Sequence, residues 1–150
     1  MTIRPATVRD RAAVVTLALR FHTETAYRQL IAVDAERIGA LFDVALRDGI
    51  VLVAERDVDL VAFLALVALD HTLSGDRYAE EIAWWVEPAY RSGTLGPRLL
   101  ARGEAWAAEH GCAFINMVAP AFAIGVADYY QRRGYAAVET TFMKRLTEAA

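Results

Sequence analysis

The chain has 150 residues, of which 56% are hydrophobic and 23% charged, with 16 basic side chains against 19 acidic ones and a formal charge of −3. That length suits one domain, able to bury about 68–70% of its unfolded surface; the composition excludes a disordered chain, and the mild acidity argues against a protein that coats nucleic acid. The single cysteine, Cys112, excludes an internal disulfide framework, and the longest apolar run, Leu60–Leu69, is half of the ~20 residues that a membrane-spanning helix needs.

The opening Met1-Thr-Ile-Arg-Pro lacks the apolar stretch of a signal peptide. The expectation is one soluble, cytoplasmic domain over 1–150 with no membrane or nucleic-acid partner. Thr2 to Pro5 reads as an edge strand, where proline is tolerated. Thr7 to Asp10 has the form of a capping box. Val14, Leu17, Ala18 and Phe21 then recur at helical spacing, and that pattern breaks between Phe21 and Leu30. Asp34 is a second N-cap, and Ile38, Leu41, Phe42, Ala45 and Leu46 line one face of the helix it opens. Asp48-Gly49 ends that helix, with Gly49 expected in the left-handed conformation.

Ile50–Glu55 and Leu60–Asp70 read as an antiparallel hairpin around a polar turn. The second strand is apolar almost throughout, as for a strand covered on both faces. After a polar loop, Tyr78–Val86 is a fourth strand. Pro97–His110 is a helix with Gly111 at its end. Ala113–Ala119 is a fifth strand, Phe122–Arg133 a helix stopped by Gly134, and Tyr135–Leu146 one or two final strands. The sum is a mixed α/β sheet of six or seven strands, mostly antiparallel, with about four helices. Strands four and five are separated by a helix and are therefore expected to be parallel.

The informative segment joins the fourth strand to the next helix. First-turn N–H groups of a helix lack internal partners and, with the macrodipole, make an anion site. Gly93 and Gly96 permit close approach to the backbone, and Arg91 and Arg98 add positive charge. Val86-Glu-Pro88-Ala-Tyr90-Arg91, followed by Arg91-Ser92-Gly93-Thr94-Leu95-Gly96, resembles the strand end and glycine loop of the GNAT superfamily of acetyl-CoA-dependent N-acetyltransferases. Thr94 stands where that family's first loop glycine usually lies. Tyr130-Gln-Arg-Arg-Gly134-Tyr135 is similar to the family's Tyr-x-x-x-Gly-Phe/Tyr, although the asparagine often found seven residues earlier is replaced by Ala123. The order of elements agrees from Ile3 to Leu146.

The resemblance implies a GNAT-like acyltransferase fold and transfer of acetyl from acetyl-CoA, as co-substrate and without a metal, to a primary amine of a small molecule or peptide. It implies that Trp85, Val86, Arg91, Ser92, Gly93, Thr94, Leu95 and Gly96 hold the coenzyme, the loop amides on its diphosphate and the strand on its pantetheine arm, with a backbone N–H near Val86 polarising the thioester. An ammonium with a reference pKa of about 10.4 must lose a proton before it attacks, and the departing thiolate must gain one. Counting back from the loop places Glu80 at the family's base. Glu81 would face the other way in a regular strand, and a bulge would swap the two. Tyr130 is the acid that the resemblance assigns to the sulfur, a transfer uphill by about 2 kcal/mol at reference values.

Other signals carry less. His22, His71 and His110 have no metal-site spacing. His71 is retained because its loop borders the acceptor cleft in the family. Cys112 opens an apolar strand and reads as a small hydrophobe. Neither Ser74 nor Ser92 sits in Gly-x-Ser-x-Gly. Trp84 and Trp85 belong to opposite faces of a regular strand. Glu24, Tyr27, Asp70, His71, Asp76 and Tyr78 fall in segments that border the family's acceptor cleft; their acidity suits a cationic amine, and ordinary loop polarity is the competing explanation. The resemblance allows a homodimer. Its alternative is a GNAT-fold module that binds coenzyme or a partner without turnover, which Thr94 and Ala123 keep open.

Overall fold

The computed structural model describes residues 1–147. The chain forms two compact units, Met1–Val118 and Ala119–Ala150. In the first unit, β1 (Thr2–Pro5) leads through a 3-10 turn (Val8–Asp10) into α1 (Arg11–Thr23), a single-turn α2 (Tyr27–Leu30) and α3 (Ala35–Asp48). Next come β2 (Gly49–Arg56), β3 (Asp59–Asp70) and β4 (Arg77–Val86), a second 3-10 turn (Pro88–Tyr90), α4 (Leu95–Glu109) and β5 (Phe114–Asn116). The five strands lie in chain order. Those from β1 to β4 are antiparallel, and β5 runs parallel to β4.

Local chemistry explains several boundaries. The Asp10 carboxylate accepts the Thr7 backbone N–H at 2.7 Å and the Thr7 hydroxyl at 3.1 Å, which closes the expected capping box. Arg4 grips the same carboxylate through two nitrogens at 2.9 Å and holds its pKa well below the usual carboxylate range. Asp34 caps α3 by accepting from Glu36 N–H at 2.8 Å and Arg37 N–H at 3.1 Å. Gly49 departs from expectation. Its φ of −162° is extended, not left-handed, and it opens β2. A Cβ built there would lie 1.9 Å from the Leu66 carbonyl oxygen, so close strand approach is what requires glycine.

Each sheet face is covered by helix. Val14 and Leu17 of α1 and Phe42 and Ala45 of α3 pack on Val51, Val53, Phe63, Ala65, Val67 and Trp85. On the other face, Leu95 and Leu99 of α4 pack on Leu52, Leu64, Leu66 and Val86. Gly103 lets α4 approach, since a Cβ there would lie 2.9 Å from Leu64 Cδ2. This double cover accounts for the unbroken apolar run in β3.

The expected six or seven strands and about four helices become five strands and five α-helices among the described residues. Residues 135–147 form no strand. Their apolar residues Val138, Phe142 and Leu146 are exposed, and strand propensity without a neighbouring strand is not enough, because cross-strand pairing is what stabilises a sheet. The break expected between Phe21 and Leu30 falls after Thr23, and the residues beyond it give the extra short α2. β5 is three residues long rather than seven. Its continuation leaves the ladder where the Val118 N–H bonds to a side chain, and Pro120 has no N–H to offer.

In the second unit, α5 (Val126–Arg132) starts after Gly125 in the left-handed region, φ 84°. It ends in a turn closed by Gly134, φ 99°, with Tyr135 N–H donating to Tyr130 O at 3.0 Å.

Candidate active site

The site expected from the sequence centres on β4 and its exit. Residues Tyr78–Glu80 of β4 pair with Phe114–Asn116, and no strand pairs with that edge from Glu81 to Val86 among the described residues. Glu87 N–H donates to Val61 O on the β3 side at 2.9 Å. By antiparallel alternation, the N–H and C=O of Trp84 and Val86 therefore point away from β3, toward the edge that β5 has left. The Val86 carbonyl confirms this direction by accepting Arg91 Nε at 2.8 Å.

A bulge divides β4. Ala83 lies opposite Ala65 and Glu81 opposite Leu66, so Ile82 is an extra residue. Glu81, Trp84 and Val86 consequently share the α4 face with Leu66, Leu64 and Ala62, while Glu80 and Trp85 share the α1 face with Val67 and Phe63. The swap of the two glutamates anticipated for a bulged strand is thus realised.

Both carboxylates are held by the chain leaving β5. Asn116 Nδ2 donates to Glu80 Oε2 at 3.1 Å, and Val118 N–H donates to Glu81 Oε2 at 2.9 Å. Burial pushes the Glu81 carboxyl up to about 7, opposed by the Val118 hydrogen bond and assisted by the neighbouring charge of Glu80. A carboxyl in that range exchanges protons near neutrality. Sequence reasoning did not single out Asn116, although a lone amide in the apolar run Phe-Ile-Asn-Met was a visible signal.

At the other end of β4, the loop residues Ser92, Gly93, Thr94, Leu95 and Gly96 carry five N–H groups with no acceptor among the described residues. They precede and open α4, which starts at Leu95 rather than at the expected Pro97. The first helical N–H with a backbone partner is Arg98, to Thr94 O at 2.9 Å. Gly93 faces open space, whereas a Cβ at Gly96 would meet Trp84 Cζ2 at 3.3 Å. The loop thus offers a row of unclaimed donors at a positive helix end, suited to an anion. Arg91 differs from its neighbours. Its N–H donates to Pro88 O at 3.3 Å, and its guanidinium lies 4.3 Å from the Trp85 ring centre.

Tyr130 belongs to the second unit and is 5% exposed, with the Tyr129 and Tyr135 rings 5.9 Å and 5.3 Å from its own. His71 stacks edge-on with Tyr78 and Phe114 where β4 begins, about 26 Å along the strand from its exit at 3.3 Å per residue. A separate groove of about 560 Å³, lined by α1, the start of β3 and residues 87–90 and crossed by the Arg20–Glu87 ion pair, contains none of the expected site residues.

The model of the acetyltransferase (GNAT) family matches residues 17–135, and the chain belongs to that family. It carries an acetyltransferase domain of a family that uses acetyl-CoA as co-substrate. No curated protein matches its sequence. Among solved structures, it is similar to a ribosomal-protein-alanine N-acetyltransferase from Brucella melitensis biovar Abortus 2308, at 20% identity over 97% of this chain and 100% of that one, with TM-score 0.74. An aminoglycoside acetyltransferase from an uncultured soil metagenomic sample, in complex with sisomicin, gives 17% identity, 99% and 96% coverage and TM-score 0.74. A transcriptional regulator from Bacillus halodurans C-125 gives 19%, 97% and 99% coverage and TM-score 0.78. At these identities the likeness shows the fold alone, as the different names of the three proteins illustrate.

Proposed function

We propose that the chain, as a single functional domain over residues 1–150, transfers the acetyl group of acetyl-CoA to a primary amine by direct attack, in the cytoplasm. The observation that carries this reading is the row of five loop N–H groups with no acceptor among the described residues, at the exit of a strand that no described strand flanks on its outer side beyond Glu80. Diphosphate suits the first, and the amides of an extended arm suit the second. About 17 Å of strand separates Val86 from Glu81. A ligand anchored at the loop must therefore be long to reach the carboxylates. Ser92 to Gly96 would hold the diphosphate, Trp85 and Val86 the arm, and Arg91 would shape their junction.

Acetyl-CoA supplies an activated acetyl group as a thioester. The Glu80–Glu81 pair takes a proton from the acceptor ammonium. The placement of Glu81 by the bulge and its pKa near 7 favour it over Glu80. As the amine nitrogen bonds to the acetyl carbon and the carbon–sulfur bond breaks, Tyr130 returns a proton to the sulfur. The acceptor is a small-molecule or peptide amine, the class named for two of the fold's relatives.

Thermal melting with acetyl-CoA tests the binding half, since ligand at 100 times its dissociation constant adds about 2.7 kcal/mol. Release of free thiol over a panel of amines tests the transfer half. Release that depends on an added amine is the expected result. A protein that binds acetyl-CoA and releases no thiol with any amine is a binding module instead.

A further inference from the structure

Arg91 sits where a positive charge next to a phosphate loop would ordinarily be read as a phosphate ligand. Its geometry says otherwise. The backbone N–H is engaged by Pro88 O and Nε by Val86 O, while the guanidinium carbon lies over the Trp85 ring, 4.3 Å from its centre. The surface beneath it is fixed, because Trp85 is 6% exposed and meets Phe21 edge-on at 5.7 Å. A planar guanidinium held over an indole with its Nε donated is fixed in place by two contacts at once, which a lysine ammonium cannot reproduce. The bonded carbonyl is that of the last strand residue, which points to the side of β4 away from β3, where no described strand pairs beyond Glu80.

We infer that Arg91 is a positioning residue. It ties the loop to the final residue of β4 and so fixes the strand edge that takes the pantetheine arm, instead of neutralising the diphosphate. Val86 and Arg91 are five positions apart, and the tie closes that turn into a rigid corner between the strand that reads the arm and the amides that read the phosphates. The inference rests on the coenzyme reading proposed above.

The test is isothermal titration of the wild type, Arg91→Lys and Arg91→Gln with acetyl-CoA and with ADP, which carries a diphosphate and no pantetheine arm. Both variants are expected to bind acetyl-CoA about tenfold more weakly, about 1.4 kcal/mol, while ADP affinity stays within about twofold. The near-ultraviolet circular dichroism of the ligand-free Lys variant should also change, because the charge is kept and the stack on Trp85 is lost. Full retention of acetyl-CoA affinity by the Lys variant would assign Arg91 to charge neutralisation and overturn the inference, as would an equal loss toward ADP and acetyl-CoA. A wild type that binds acetyl-CoA with both variants unchanged overturns the inference alone. A wild type that binds no acetyl-CoA overturns the coenzyme reading with it.

Discussion

The Glu81 carboxylate accepts the backbone N–H of Val118 at 2.9 Å, reaching from β4 to the chain that has just left β5. This bond and the burial around it act in opposite directions on the same proton, and burial wins. The stability consequence has a definite sign. The unfolded chain releases this proton near 4.5, and the folded chain holds it until about 7. Between those values the native state binds more protons, so raising the pH lowers stability, by about 3 kcal/mol at 1.36 kcal/mol per pKa unit. Wild-type Tm should fall from pH 5 to pH 7 relative to Glu81→Gln. Parallel curves for the two proteins would count against a buried, neutral Glu81.

The same proton governs the expected rate. With Glu81 as the base, kcat/KM rises as pH passes about 7. Glu81→Gln should remove that limb and slow turnover by about 10²–10⁴-fold. Glu80→Gln should leave the limb in place and shift its midpoint downward, because one neighbouring negative charge is gone. A pH-rate profile that loses its limb only in Glu80→Gln would return the role to Glu80.

Tyr130→Phe removes one oxygen from a buried ring in a turn whose closure is made by backbone atoms. Turnover should drop by about 10²-fold or more while acetyl-CoA affinity holds. Steady-state kinetics beside titration separates the two, and unchanged turnover would exclude the phenol as acid.

Two glycines should respond in opposite ways. Gly93→Ala places a methyl in open space, so Tm should stay within about 2 °C, a shift of well under 1 kcal/mol. Acetyl-CoA affinity should nonetheless fall if the loop amides hold a diphosphate at close range. Gly49→Ala drives a methyl onto the Leu66 carbonyl oxygen, and urea unfolding should show a loss of about 3 kcal/mol or more, overpacking against backbone that cannot move aside.

Most of the first unit was legible because its signals are local. Thr7 with Asp10 and Asp34 with the N–H groups that follow it are caps decided within four residues of chain. The apolar run of β3 needs only two covered faces. What escaped was set at longer range. The conformation of Gly49 is dictated by Leu66 on the next strand. The end of β5 is decided by Glu81, far earlier in the chain. The one or two strands expected in residues 135–146 had suitable residues, but no described strand lies beside them to form a ladder. In the candidate site, the loop and both glutamates were named in advance. Their division between the sheet faces depends on the register of β4 against β3, which no single segment records.

That register hangs on Ile82. Were Ile82 drawn into regular pairing with β3, strict alternation would return along β4 and invert the parity of every position from Arg77 to Glu81 relative to the indoles downstream. Glu80 would then stand on the side of Trp84, and Glu81 would turn toward the layer formed by α1. The chain would keep both acids, both tryptophans and the whole glycine loop, yet Glu81 and the strand edge proposed for the coenzyme would be out of phase.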